Sequence, residues 1–138
     1  MSEQQKTILV TGGSGFIGSV TCKFLVDSGY NVINIDRAKR QLEGVHQYPF
    51  DIDNHQLEGV IALTKPDAVI HLAADHSVPL SIEAPADTYY NNVANSIALL
   101  KHCVRNNVKH FVFSSSSSVY GNSDFVLNTE TDPTNPLT

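Results

Sequence analysis

The chain has 138 residues, the length of one domain. With 41% hydrophobic and 17% charged residues, 8 Gly, 6 Pro and no Trp, it is neither a disordered, a collagen-like nor a coiled-coil sequence. A net charge of −5 argues against nucleic acid or an anionic membrane surface as the main partner, and no apolar run approaches the ~20 residues of a membrane span.

The opening residues, Met1 to Lys6, lack the apolar stretch of a signal peptide. Two cysteines make no disulfide framework, so the chain reads as cytoplasmic, with Cys22 and Cys103 as buried apolar side chains. Thr7–Thr11 is a β-branched, apolar run that ends at glycines and reads as a buried parallel strand. From Gly15 the apolar spacing turns helical through Ile17, Val20, Thr21, Phe24 and Leu25, and Ser28-Gly29 stops that helix. Asn31–Asp36 is a second strand, which completes a βαβ unit. A polar loop follows, and His46–Phe50 is a third strand that Pro49 keeps near an edge. Asn54–Thr64 predicts a short helix and Asp67–Leu72 a fourth strand. Ala86–Asn106 predicts the longest helix, with Tyr90, Val93, Ala94, Ile97 and Leu100 on one face. Lys109–Phe113 is a fifth strand that runs into five serines, and nothing regular is predicted after Gly121.

Alternating apolar strands and helices specify an α/β fold, a Rossmann-type doubly wound parallel sheet. Right-handed crossovers give the strand order 3-2-1-4-5. Residues 1–138 then form one domain.

The motif that carries chemistry is Thr11-Gly12-Gly13-Ser14-Gly15-Phe16-Ile17-Gly18, placed between a strand and a helix. One glycine permits the tight turn, one lets backbone approach a pyrophosphate, and one lets helix pack on strand. The helix N-terminus offers free N–H groups to the anion. The bland alternative is an ordinary strand-to-helix turn. Asp36 closes the second strand, where a carboxylate can accept both ribose hydroxyls and repel a 2′-phosphate. That favours NAD over NADP, although the neighbouring Arg37 could pair with such a phosphate. Asp51 and Ile52 follow the third strand, where Asp51 could hold the adenine amino group and Ile52 could pack on the base. A surface turn is the alternative. Leu72-Ala73-Ala74 ends the fourth strand at the switch point where ligands sit in such sheets. The run Ser114–Ser118 offers hydroxyls to a substrate, or else is a polar linker. His71 and His76 stand without a carboxylate or cysteine cluster, so they read as satisfied or solvated side chains and no metal is expected.

In order along the chain, the glycine motif, Asp36, Asp51-Ile52, His71-Leu72-Ala73-Ala74, Tyr89-Tyr90-Asn91-Asn92-Val93, Phe113-Ser114-Ser115-Ser116 and Val119-Tyr120-Gly121 resemble the extended short-chain dehydrogenase/reductase family. The set looks most like its NAD-dependent sugar-nucleotide epimerases, of the UDP-glucose 4-epimerase type. The resemblance implies NAD as cofactor and a UDP-sugar as substrate, inverted at C4 through a transient 4-keto sugar. It implies cofactor contacts from Gly12, Gly15, Phe16, Ile17, Gly18, Asp36, Asp51, Ile52, Leu72, Ala73, Ala74, Asn91 and Ser114, and a catalytic role for Ser116. Where the type enzyme has a lysine near the cofactor, this chain has His76. Related dehydratases carry Thr at the serine position followed by Asp-Glu, whereas Ser117 and Ser118 follow Ser116 here.

The family's Tyr-x-x-x-Lys does not occur in the 138 residues, and Asn128–Thr138 resembles the stretch just before it. The expectation is a dinucleotide-binding part, truncated before the last strands and the substrate domain, that binds NAD and is inactive alone. Its fifth strand should be an open apolar edge that favours association, alongside the homodimer common in the family. The alternatives are a non-catalytic nucleotide-binding module and a related sugar-nucleotide reductase or dehydratase.

Overall fold

The computed structural model describes residues 5–122 and 127–137. Of the opening stretch Met1–Lys6, Met1–Gln4 lie outside the described residues, as does Thr138. Five strands form one parallel sheet: β1 (Thr7–Thr11), β2 (Asn31–Ile35), β3 (Val45–Tyr48), β4 (Ala68–His71) and β5 (His110–Phe113). The order is β3-β2-β1-β4-β5, as the alternating pattern predicts. Thr11 lies opposite Ile35 on one side and His71 on the other, so the loops leaving β1, β2 and β4 meet at one end of the sheet.

The central strands β1, β2 and β4 alternate between two cores. Ile8, Val10 and Val32 face Cys22 and Leu25 of α1 (Phe16–Asp27). Leu9, Ile33, Ile35 and Val69 face α2 (Leu57–Thr64) and α5 (Asn95–Arg105) through Leu57, Val60, Ile61, Leu99 and Cys103. Both cysteines are buried, at 0% and 4% exposure, as expected. Gly29 takes φ +84° just past the end of α1, the left-handed stop foreseen from Ser28-Gly29. β3 lies at the sheet edge and ends before Pro49.

The segment expected as one long helix is interrupted. It runs as α4 (Pro85–Tyr89), a π-helical turn over Tyr90–Ala94, and α5, so the longest unbroken α-helix is the 12-residue α1. The side that packs on the sheet carries Ser96, Leu99 and Cys103, while Tyr90, Val93, Ile97 and Leu100 are 37–58% exposed. Two apolar stripes compete here. Leu99 and Cys103 pack in the core, and Ser96 on the same side bonds to the sheet's buried histidine. Each extra residue turns a helix by about 100°, so the π turn changes which face α5 presents to the sheet.

The sequence reading did not foresee α3 (Val78–Glu83), which Ser77 caps by accepting from Leu80 N–H at 3.3 Å. It also missed a 3₁₀ turn over Ser117–Tyr120. Asn54–Gln56, expected as helix, forms turns before α2: Asn54 N–H donates to the Asp51 carbonyl and Leu57 N–H to the Asn54 carbonyl.

A glycine-loop cleft as the candidate cofactor site

The loop between β1 and α1 can be followed one N–H group at a time. Gly12 N–H donates to the Ile35 carbonyl at 2.9 Å and Gly15 N–H to the Gly12 carbonyl at 3.1 Å. Gly13 N–H donates to Asn34 Oδ1 at 2.8 Å and Ser14 N–H to Asp36 Oδ2 at 2.9 Å. The first bond of the helix ladder is Ser19 N–H to the Gly15 carbonyl. The N–H groups of Phe16, Ile17 and Gly18 are left without a partner among the described residues, and no side chain caps the helix. Phe16 and Ile17 are also largely exposed, at 91% and 62%. Three uncommitted donors at an open helix N-terminus are what an anion such as a pyrophosphate requires.

At Gly12, Gly13 and Gly18 nothing larger fits. Gly12 has φ +74°, and a Cβ on it would lie 2.7 Å from Ala73 N. A Cβ on Gly13 would meet the Asn34 amide and one on Gly18 would lie 2.6 Å from Gly13 Cα. A Cβ on Gly15 would touch only the Gly12 carbonyl oxygen, at 3.3 Å.

Asp36 reaches the loop from the end of β2. Its Oδ2 accepts from Ser14 N–H and its Oδ1 from Ala38 N–H at 2.8 Å, so the carboxylate is oriented and keeps lone pairs for hydroxyl donors. Arg37 turns towards carboxylates, with Nη2 3.2 Å from Asp75 Oδ1 and Nη1 3.9 Å from Asp51 Oδ2. Asp51 is half-buried, and its Oδ1 accepts from Ile52 N–H at 2.7 Å. The Ile52 side chain is 3% exposed and belongs to the core, where it packs in the same cluster as Leu57.

On the other side of β1, Leu72 and Ala73 are half-buried and Ala74 is exposed, and the end of β4 lies against the glycine loop. Asn91 donates to Asn92 Oδ1 at 3.2 Å. Asn92 holds the loop after β4 from both sides: its Oδ1 accepts from Asp75 N–H and its Nδ2 donates to the Asp75 carbonyl, each at 2.8 Å. Ser114 N–H donates to the His71 carbonyl at 3.2 Å, which carries β5 into the serine run. Ser116 is exposed and caps the 3₁₀ turn by accepting from Ser118 N–H at 3.2 Å, and its own O–H has no acceptor among the described residues. The serines are thus an ordered turn, and Asn135 N–H donates to the Val119 carbonyl at 2.8 Å to hold the tail against it.

His71 is 2% exposed and bonded at both ring nitrogens, whereas His76 is exposed, so the two histidines do not form a pair. Burial pushes the His71 imidazole below its ordinary 6.5. Among the described residues no group of His, Cys, Asp and Glu is arranged to hold a metal ion, and no helix is long and apolar enough to cross a membrane.

Sequence reasoning missed Asn34, Ser96 and Asn92. Asn34 left a signal, since it is a polar residue inside an otherwise apolar strand. It is fully buried, and its Nδ2 donates to Gln47 Oε1 at 2.9 Å and Ser14 Oγ at 3.2 Å.

A family model, the NAD dependent epimerase/dehydratase family, matches residues 8–138. The chain belongs to that family. It is 41% identical over 134 residues to UDP-glucose 4-epimerase of Halalkalibacterium halodurans, covering 94% of this chain and 40% of that protein. It is 37% identical over 143 residues to UDP-glucose 4-epimerase uge1 of Schizosaccharomyces pombe, covering 94% of this chain and 38% of the relative. Among solved structures, a UDP-glucose 4-epimerase superposes with a TM-score of 0.90 at 37% identity, over 96% of this chain and 42% of its own. UDP-glucose 4-epimerase from Brucella ovis, solved in complex with NAD, gives a TM-score of 0.89 at 35% identity, over 96% of this chain and 42% of its own. The chain therefore spans about two fifths of the length of these epimerases. The family is NAD-dependent, and the site fits such a cofactor: three donors without a partner among the described residues, a loop with no room for a Cβ at Gly12, Gly13 and Gly18, and an oriented carboxylate lie together.

Proposed function

We propose that the chain is the NAD-binding part of a UDP-sugar 4-epimerase and binds NAD without turning substrate over by itself. One observation carries the reading: the N–H groups of Phe16, Ile17 and Gly18, without a partner among the described residues, follow the loop that the Asp36 carboxylate holds. The N–H donors of Phe16 and Ile17 take the pyrophosphate, and Gly12, Gly15 and Gly18 let the cofactor approach. Asp36 accepts the adenosine ribose hydroxyls. Its negative charge opposes a 2′-phosphate, and Asp75 and Asp51 hold Arg37 away from that role. Asp51 and the backbone of Ile52 face the adenine. Leu72, Ala73, Ala74, Asn91 and Ser114 line the middle of the cofactor.

Bound NAD supplies a hydride acceptor and donor. Ser116 contributes an O–H that hydrogen-bonds the reacting sugar oxygen. The tyrosine–lysine pair that lowers the barrier by general base catalysis is not among these residues, and such catalysis contributes typically 10²–10⁴-fold. Residues 1–138 act as one dinucleotide-binding domain, in the cytoplasm. The open edge of β5, with Val112 55% and Phe113 58% exposed, favours self-association.

Calorimetric titration with NAD and NADP tests the reading. NAD should bind with the higher affinity, and Asp36→Ala should remove most of that preference. Absence of NAD binding by the folded chain would refute it, and turnover of UDP-glucose by the purified chain would refute the claim of inactivity.

A further inference from the structure

The buried polar residues behind the cleft form one connected line. Ser96 Oγ donates to the Asn92 carbonyl at 2.8 Å, so its lone pairs face His71. His71 Nε2 lies 2.7 Å from that oxygen and must carry the hydrogen between them. In a neutral ring Nδ1 is then an acceptor, and Thr11 Oγ1, 2.6 Å away, supplies its hydrogen. Thr11 Oγ1 accepts in turn from Ala73 N–H at 3.3 Å. Every donor finds one acceptor, and the line runs in a single direction from Ala73 N–H to the Asn92 carbonyl. With Nδ1 protonated, in the other tautomer or the imidazolium, the Thr11 hydroxyl hydrogen would have no acceptor among the described residues. Thr11, His71 and Ser96 are 0%, 2% and 8% exposed, so water does not replace a lost partner, and an unsatisfied buried group is costly. Phe111 and Phe113 flank the imidazole, at centroid distances of 6.0 and 5.7 Å.

The ends of this line matter for the cleft. Thr11 is the last residue before the glycine loop. Ala73 lies in the β4 segment on the cofactor's path, and Gly12 packs directly against Ala73 N. Asn92 bonds Asp75 at two points and neighbours Asn91. We propose that His71, held as the neutral Nε2–H tautomer, is a positioning residue of the cofactor cleft: it locks the β4 loop to the glycine loop on one side and to the Asn91–Asn92 segment on the other. This rests on the reading of the cleft as an NAD site, but the proton order in the line does not.

Two measurements on the chain test it. Long-range ¹H–¹⁵N correlation of the labelled histidines should show His71 with a protonated Nε2 and a bare Nδ1 at neutral pH. The reverse tautomer, or an imidazolium, would overturn the proposal. NAD titration of Thr11 variants supplies the second. Thr11→Val keeps the volume and deletes the hydroxyl, and should weaken NAD binding about tenfold, the scale of one net buried hydrogen bond. Thr11→Ser keeps the hydroxyl and should restore most of the affinity, whereas a role in packing alone predicts that Val is tolerated better than Ser. Equal NAD affinity in a folded Thr11→Val chain would also overturn the positioning role. Failure of the unaltered chain to bind NAD would instead refute the cofactor site, and the tautomer would still be read from the spectrum.

Discussion

Gly18→Ala isolates the contact between helix and glycine loop. Gly18 has no positive φ, so only lack of space opposes the substitution, and alanine's better helix propensity inside α1 offsets a part of that cost. The added Cβ would lie 2.6 Å from Gly13 Cα and closer still to the Gly12 carbonyl oxygen. Carbon atoms in contact sit about 3.5–4.0 Å apart, so the start of α1 must retreat by about 1 Å. Both obstructing groups are backbone, in a loop whose other N–H groups are committed to Asn34 and Asp36. Overpacking of this kind costs about 1–3 kcal/mol. For a chain of this size that corresponds to a fall in Tm of roughly 3–15 °C. The same retreat moves the free N–H groups of Phe16 and Ile17, so NAD affinity should fall at least about tenfold, as one misplaced charge-assisted hydrogen bond would cause. Gly59→Ala is the matched control. Nothing lies within 4 Å of its Cβ, and it sits inside α2. Alanine is favoured over glycine in a helix by about 1 kcal/mol, so this variant should melt higher. Thermal melts and NAD titrations of both variants provide the check. A Gly18→Ala chain with unchanged Tm and NAD affinity would refute the packing account of the glycine motif.

Other substitutions probe the rest of the fold. Leu99→Ala should cost about 2–5 kcal/mol because Leu99 is fully buried, while Leu100→Ala, at 41% exposure, should cost far less; denaturant titration distinguishes them. Burial pushes the Cys22 thiol up to about 11, with Asp36 adding to the rise, and burial also lifts the Cys103 thiol to about 11. Neither should react with a thiol reagent at pH 8 while folded, and both should react once denaturant opens the chain. The side chains around His71, Thr11 from β1, Ser96 from α5 and the two phenylalanines of β5, carry no charge. Its folded pKa lies below the ordinary 6.5, so the unfolded chain takes up its proton first as the pH falls. The stability tied to neutral His71 is complete above pH 6.5 and is lost as the pH drops from there through the folded value. Denaturation at several pH values should show that slope, and His71→Gln should remove it.

What the sequence determined by itself was local or periodic. Apolar runs and their breakers place all five strands within a residue or two, and the right-handed crossover rule orders them. The glycine motif is legible because Gly12, Gly13 and Gly18 answer a short-range demand, a turn or a close approach. The position of Asp36 beside that loop is legible because it closes the strand that pairs with β1. Tertiary structure alone decided which face of the helix after Pro85 packs, because two apolar stripes of similar strength lie on one segment and only contact with the sheet chooses between them. It alone also joined Thr11, His71, Ser96 and Asn92, which sit up to 85 residues apart in the chain and meet only because β4 lies beside β1 and α5 covers them both. Periodicity records which side chains avoid water. It carries no record of which buried polar group will find which partner, since that depends on angles and distances of about 3 Å that only the folded sheet sets.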